Sequence, residues 1–457
     1  MKSLLIGKLA ALAAVMLALL LALGAIDGIV QERQRYQQTA EQTIARSLAG
    51  DQTLMGPMLR RQCEETWARS EGSGTGARKI AERRSFVQTL WPNRLSVKTH
   101  AAIEPRYRGL FKANGYLADS TLTADWDSLD LSPPKGANPD AEVTCQQPAL
   151  ALVLGDVRGV RTASVTVNRV ARSVKAGSAA AEASGLHADL PDLTPDGGPV
   201  QAVVQLALVG TGSLAWAPAG DETTVDIDSD WRHPSFAGQF LPVTRDVSPQ
   251  GFQARWHVGS LASSAQQQHG AGGKFCGLQD TRPEDADPAR TGTCVDSFGV
   301  RFIDPVNPYV LSERAGKYGI LFIVLTFVGV ALVELKKRLR VHPVQYLLVG
   351  CALTVFYLLL IGLSEHIGFG PAYACAATAC SALLAFYAAH LLEGVRPALV
   401  FGAAIGLLYG ALYILLQQEQ TALLLGSLLL FVALAAVMVV TRRTDWYALA
   451  RPAPGKD

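Results

Sequence analysis

Most signatures of chemistry are missing from this chain. No Cys-x-x-Cys pair occurs, so metal-ribbon and dithiol redox chemistry lose their usual motif. There is no Gly-x-Ser-x-Gly elbow, which disfavours a Ser-His-acid hydrolase, and no cofactor, metal or nucleotide signature stands out. No basic run is interleaved with aromatics, so nucleic acid is not an expected partner. Charge is scarce as well: only 18% of the 457 residues are Asp, Glu, Lys or Arg, and mean hydropathy is +0.20. That balance fits a chain that lies partly in a membrane. The net charge of +2 averages two different regions and points to no partner.

What the chain has is long apolar runs. A hydrocarbon layer of about 30 Å takes about 20 helical residues, because backbone polar groups cannot stay unpaired in lipid. Five windows after Ser312 meet this need: Tyr318 to Val333 extended by Ala315 and Gly316, Val344 to Leu363, Ala372 to Leu392, Ala398 to Leu416, and Thr421 to Val440. Lys and Arg resist translocation, and they lie in alternate connectors. Glu334-Leu335-Lys336-Lys337-Arg338-Leu339-Arg340, then Arg396, then Arg442-Arg443 are expected to face the cytoplasm. Ser364 to Gly370 and Gln417 to Gln420 hold Glu365 and Glu419 with no Lys or Arg, and are expected on the other side.

At the amino end, Lys2 and Lys8 precede an apolar run from Leu9 to Ile26. Either a removed signal peptide or a retained anchor has this form. The run exceeds the usual leader core of about 7 to 15 residues, and Ala22-Leu23-Gly24 is a weak cleavage site, so a retained anchor is expected. Gln31 to Arg46 reads as a polar stalk continuing that helix, ended by Gly56-Pro57. Val160 to Val170, Val203 to Val209, Thr223 to Asp230 and Gly251 to Val258 read as strands. Arg106 to Phe111 and Gly115 to Leu117 read as short extended pieces. Glu71 to Gly76, Ala176 to Gly185 and Ser260 to Gly273 read as flexible inserts because such composition buries little.

Cys351, Cys375 and Cys380 fall in apolar windows, where a thiol is usually a small packing residue. Cys63, Cys145, Cys276 and Cys294 fall in the region expected outside the cytoplasm, where disulfides persist. Four cysteines allow three pairings. Cys276 with Cys294 is favoured, since it would close a polar loop, and Cys63 with Cys145 is then the remainder.

Several runs carry a family resemblance: Trp231-Arg232-His233-Pro234-Ser235-Phe236-Ala237-Gly238, Lys317 to Phe322, His342-Pro343-Val344-Gln345-Tyr346 through Gly350, Ser364-Glu365-His366-Ile367-Gly368-Phe369, and Gly426 through Trp446-Tyr447. Together they resemble the CreD family of bacterial inner-membrane proteins, closely over the carboxyl-terminal third and well from Leu186 to Val258. The resemblance implies a Gram-negative cytoplasmic membrane and a periplasmic domain. It also implies a role in envelope integrity, expression under a two-component regulator, and altered colicin tolerance. The family offers no catalytic residue to carry over. The Arg60 to Arg94 stretch and the Ser260 to Cys294 loop depart from its pattern, so a partner bound there would differ.

Candidate residues follow. Ser364, Glu365 and His366, with Glu419 in the other short outer connector, are candidates for proton relay or cation binding at the membrane face, against a plain helix end at Gly368 and Gly370. Adjacent residues point about 100° apart on a helix, so one ion held by both Glu365 and His366 would need local unwinding. Gly402, Gly406 and Gly410 make one smooth helix face for packing within the chain or against another chain. Trp231, Arg232 and His233 could contact a periplasmic ligand or the cell wall, although a turn into a strand with Trp231 buried is the plainer reading. Asp226, Asp228 and Asp230 lack the loop glycine of a calcium site.

The expectation is therefore an α-helical membrane bundle of six transmembrane helices plus a large periplasmic β-rich, sandwich-like α+β domain inserted between helices 1 and 2. The parts are an anchor at 1–29, the periplasmic domain at 30–314, five helices at 315–441 and a cytoplasmic tail at 442–457. Both termini are expected in the cytoplasm, and no cofactor or metal is expected. Expected partners are the lipid bilayer and envelope proteins or cell wall, with an oligomer open. The preferred role is non-enzymatic support of the envelope. The alternative is a membrane enzyme or lipid-handling or transport protein with its site at Glu365 and His366.

Overall fold

A computed structural model describes residues 2–71, 78–138, 140–179, 184–193, 198–276, 278, 294–302, 304, 307–337, 341–391, 394–418 and 422–442. Two compact units emerge: Met1–Gln37 with Val306–Asp457, which is helical, and Gln38–Pro305, which is built of strands. These borders differ from 30 and 314, since the first helix runs on unbroken and a short helix before Tyr318 belongs with the helices.

That first helix, α1, spans Lys2–Ser47. It contains no Pro, and its polar second half keeps good helix formers such as Gln, Glu, Arg and Ala. Its end comes well before Gly56-Pro57. Arg158 Nη1 donates to the Arg46 carbonyl at 2.6 Å, and Thr211 Oγ1 donates to the Ala49 carbonyl at 2.9 Å. The cation thus satisfies a carbonyl that the helix end leaves free, and the hydroxyl holds the chain just beyond it. Gly56-Pro57 instead sits inside strand Gln52–Glu71, where the register shifts between Met55 and Met58. A proline without an amide hydrogen is tolerated at such a bulge.

A second short helix, α2, covers Ala265–Gly270, so Ser260 to Gly273 is ordered rather than a flexible insert. Side chains explain it: Gln266 Nε2 donates to the Ala219 carbonyl, and Asp296 accepts from Ser264 N and Gln268 Nε2. Then come α3 Pro308–Lys317, α4 Gly319–Lys337, α5 Pro343–Ile367, α6 Phe369–Leu391, α7 Val395–Gln417 and α8 Ala422–Thr441. Among the described residues, four helices, α1, α5, α6 and α7, are each long and apolar enough to cross a membrane; α3 and α4, bent by 45° at Tyr318, make a fifth span if taken together. The expected extension through Ala315 and Gly316 is present as the end of α3, which meets α4 at this bend. The apolar stretch of α8, Leu424–Val439, is shorter. The start of α5 is a capping box in which His342 Nδ1 accepts from Val344 N and Gln345 Oε1 accepts from His342 N, with Pro343 at the first turn. Gly368, at φ 77°, ends it. Inside this unit, Phe322, Phe356, Tyr373 and Tyr409 form an aromatic core, with the Phe356 and Tyr409 rings 4.4 Å apart.

The described residues of the strand unit form two sheets. One runs in the order Ser235–Gly238, Phe298–Arg301, Ser213–Ala217, Gln52–Glu71, Ala149–Leu154, Gly185–Asp189, Lys175–Ala176; Arg78–Leu90 and Glu142–Cys145 also pair with Gln52–Glu71. The other runs Thr244–Ser248, Gly251–Gly259, Glu222–Ser229, Arg94–Arg108, Phe111–Trp126, Val200–Thr211, Val160–Val167, Val170–Arg172. Arg106 to Phe111 is the tip of one long hairpin, turning at Gly109 and Leu110, and Gly115 to Leu117 lies in its second strand opposite Ala102 to Glu104. Period-2 alternation is plain in Glu222–Ser229, where Thr223, Val225, Ile227 and Ser229 are buried. Inward residues of both sheets, among them Leu54, Met58, Trp216 and Phe298 with Val97, Leu122, Val204 and Trp256, form one core.

Cys63 is joined to Cys145, its direct register partner on the adjacent strand, and Cys276 to Cys294. Cys351, Cys375 and Cys380 are free thiols of the helical unit.

Candidate functional site around Glu365

The last turn of α5 presents Ser364, Glu365 and His366 in three directions. Ser364 is buried, and its hydroxyl donates to the Ile361 carbonyl at 2.9 Å. Glu365 turns into the helical unit, its side chain only 9% exposed. Tyr309 OH, at the start of α3, donates to its Oε1 at 3.1 Å, and Arg33 Nε of α1 lies 3.6 Å from the same oxygen. His366 is exposed. The three residues do not converge, so no acid-imidazole unit is assembled. Glu419, the fourth candidate, lies outside the described residues.

Glu334, at the far end of α4, has the same surroundings. It forms an ion pair with Lys8 of α1, accepts from Tyr346 OH of α5 at 3.0 Å, and accepts from Val341 N at 3.3 Å. Glu334 falls in a connector expected to face the cytoplasm, and the sequence alone gives it no role. Its signal was a lone acid closing an apolar window, with the distant Lys8 and Arg33 flanking the first apolar run.

The glycine face of α7 is used unevenly. A Cβ at Gly402 would come 2.7 Å from the Ala385 Cβ of α6, so this glycine permits close helix contact. Gly406 and Gly410 have nothing within 4 Å and border a groove of about 770 Å³ between α6 and α7, with Tyr373, Thr378 and Ser381 on its walls.

In the strand unit, Trp231 is half-buried against the core rather than fully buried, and its Nε1 donates to the His233 carbonyl at 2.8 Å. Arg232 and His233 are exposed in the turn before Ser235–Gly238. Asp226 pairs with Arg255, Asp228 with His100, and Asp230 accepts from Ile103 N. Each acid therefore has a partner within the protein. Among the described residues, no three His, Cys, Asp or Glu side chains gather as a metal-binding group.

Three charged or titratable groups of this unit are strongly shaped by their surroundings. Burial lowers the Arg61 pKa while its guanidinium donates to the Leu131 and Ser132 carbonyls, both at 2.6 Å, and to Gln88. The Arg158 side chain hydrogen-bonds Asp156 and holds its carboxyl below the usual range. Burial first, and nearby Arg60 second, hold the His269 imidazole below its ordinary value.

Residues 4–447 match the family described as "Inner membrane protein CreD". The chain is also 35% identical to Inner membrane protein CreD of Escherichia coli (strain K12), over 99% of this chain and 96% of that protein. It belongs to the CreD family. An inner-membrane location fits this membership together with the apolar helices of the CreD chain. Among solved structures, an M1 zinc metallopeptidase from Deinococcus radiodurans is 12% identical, with 36% of this chain and 38% of that one covered at a TM-score of 0.20. A substituted form of that enzyme gives 14% identity over the same shares at 0.21. Likeness at that level carries no argument about the fold or activity of a CreD protein.

Proposed function

We propose that this CreD-family protein supports the integrity of the cell envelope from the inner membrane without catalysing a reaction, through contacts that its strand unit and helical unit make with envelope proteins, lipid or cell wall. Similarity along essentially the whole chain to an inner membrane protein carries this reading. The chain in this reading crosses the membrane six times with both ends in the cytoplasm. The strand unit lies in the periplasm as a sandwich-like domain inserted between the first and second spans. The two disulfides of that unit and the free thiols of the other favour this arrangement, since disulfides persist in oxidising compartments. The partnered state of Glu365 favours a structural role over a periplasmic-face enzyme or transport site built from Glu365 and His366.

The test uses Gram-negative cells that lack their own family member and express this protein at matched levels. Restored tolerance to detergent and an altered response to colicin are expected. His366→Ala should leave both unchanged, because His366 is exposed. Loss of both traits in His366→Ala at normal protein level would favour the enzyme or transport reading. Failure of the unsubstituted protein to alter either trait would end the envelope reading.

A further inference from the structure

The helical unit holds Glu334 and Glu365 each against both a cation and a tyrosine hydroxyl, and in each case the cation comes from α1. Lys8 faces Glu334 and Arg33 faces Glu365. These cations stand about 37 Å apart at ~1.5 Å rise per residue, slightly more than a hydrocarbon layer of about 30 Å. One pair therefore falls at each edge of the apolar layer, where an uncompensated carboxylate is costly. We infer that Lys8 with Glu334 and Arg33 with Glu365 are two charge clamps that seat α1 in the helical unit at one depth, so that α1 remains part of the working protein.

Each clamp joins three elements. Glu334 of α4 takes Lys8 of α1 and Tyr346 of α5; Glu365 of α5 takes Arg33 of α1 and Tyr309 of α3. Between the clamps, shape fixes the same depth. Leu19 is 2% exposed and sits where Gly350 of α5 leaves room, since a Cβ there would meet Leu19 Cδ1 at 2.2 Å. Leu23 packs beside Gly319 in the same way, with its methyl carbons 3.2 and 3.3 Å from where a Cβ would stand. Sliding α1 by one turn, about 5.4 Å, would break both clamps and lift Leu19 from its notch.

A cut at Ala22-Leu23-Gly24 would be worse for one clamp than for the other. It would remove Lys8 and Leu19 but keep Arg33, leaving Glu334, among the described side chains, with a tyrosine hydroxyl and an amide but without its Lys8 countercharge. Removing one partner of a poorly hydrated ion pair is the costly change, because the other charge stays behind.

Two measurements decide the matter. First, the intact mass of the protein purified from membranes of a Gram-negative host should include residues 1–24; a mature chain starting after Gly24 overturns the inference. Second, Lys8→Met, Glu334→Gln, Arg33→Met and Glu365→Gln should each lower the temperature at which the solubilised protein aggregates, by roughly 5 °C or more. Lys8→Met combined with Glu334→Gln should cost no more than the worse single change, and the exchange Lys8→Glu with Glu334→Lys should recover part of the loss. Strictly additive losses, or singles that behave like the parent protein, overturn it. Should a single variant fail to accumulate, recovery by the exchange supports the clamp, and failure of the exchange too leaves the intact mass of the unsubstituted protein to decide.

Discussion

The helical unit and the strand unit handle charge in opposite ways. In the strand unit, ion pairs such as Arg94 with Asp127 and Arg255 with Asp226 lie on solvent-facing rungs, where water competes and each contributes little. Its buried guanidinium, Arg61, is matched by loop carbonyls and one side-chain amide rather than by a directly bonded carboxylate. In the helical unit, the two key carboxylates sit near span ends and take their countercharge from a segment hundreds of residues away. The difference follows from solvent: a surface in water can leave charges half-paired, whereas a surface in lipid cannot. Covalent bonds divide the same way, with both disulfides in the strand unit and the free thiols among the helices.

Reduction should break this comparison most visibly. Cys63→Ser with Cys145→Ser opens a loop of 82 residues and should destabilise the strand unit by about 4.5 kcal/mol in a chain-entropy account, against about 3 kcal/mol for Cys276→Ser with Cys294→Ser, whose separation is 18. Thermal unfolding with and without reductant measures both, and Cys351→Ser with Cys375→Ser should leave the curve unmoved.

Glycine substitutions come next. A Cβ at Gly299 would stand 2.1 Å from the Leu214 carbonyl oxygen on the neighbouring strand, a backbone atom that cannot rotate away. Gly299→Ala should therefore cost about 3 kcal/mol. Gly406→Ala has open space around it and should change stability by no more than about 1 kcal/mol, in the favourable direction, because alanine suits a helix better. Equal effects at the two positions in melting experiments would remove the contrast in packing.

The smallest effect concerns pH. His269 is held below its ordinary pKa of 6.5, so the unfolded chain binds the proton more readily than the folded one. Stability of the strand unit should be full above pH 6.5 and decline as pH falls through that value toward the folded pKa. His269→Phe should flatten this portion of the stability profile. An unchanged slope between pH 7 and pH 5 would show that another group governs it.

Much of the fold was readable from periodicity alone. Val344 to Leu363 lies inside α5, Ala398 to Leu416 inside α7, and Thr223 to Asp230 matches Glu222–Ser229 but for one residue at each end. Element ends were harder. The end of α1 at Ser47 is held by Arg158 at Arg46 and by Thr211 at Ala49, both reaching it from over a hundred residues away. The order in Ser260 to Gly273 depends on Asp296 and the Ala219 carbonyl. Of the candidate site, Glu365 was visible as a lone acid at a span end, but its direction was not. Neither the pairing with Arg33 nor the matching clamp at Glu334 could be inferred, because both join segments that sequence spacing does not relate.

By itself, the sequence determined which stretches can lie in lipid and which alternate as strands, because hydropathy and side-chain period act locally along the chain. Its motifs also carried the family. Only the tertiary structure decided which carboxylate meets which cation, where Leu19 finds room, and which glycines are pressed against a neighbour. Such contacts depend on direction and distance between remote segments, and those are set once the chain has packed.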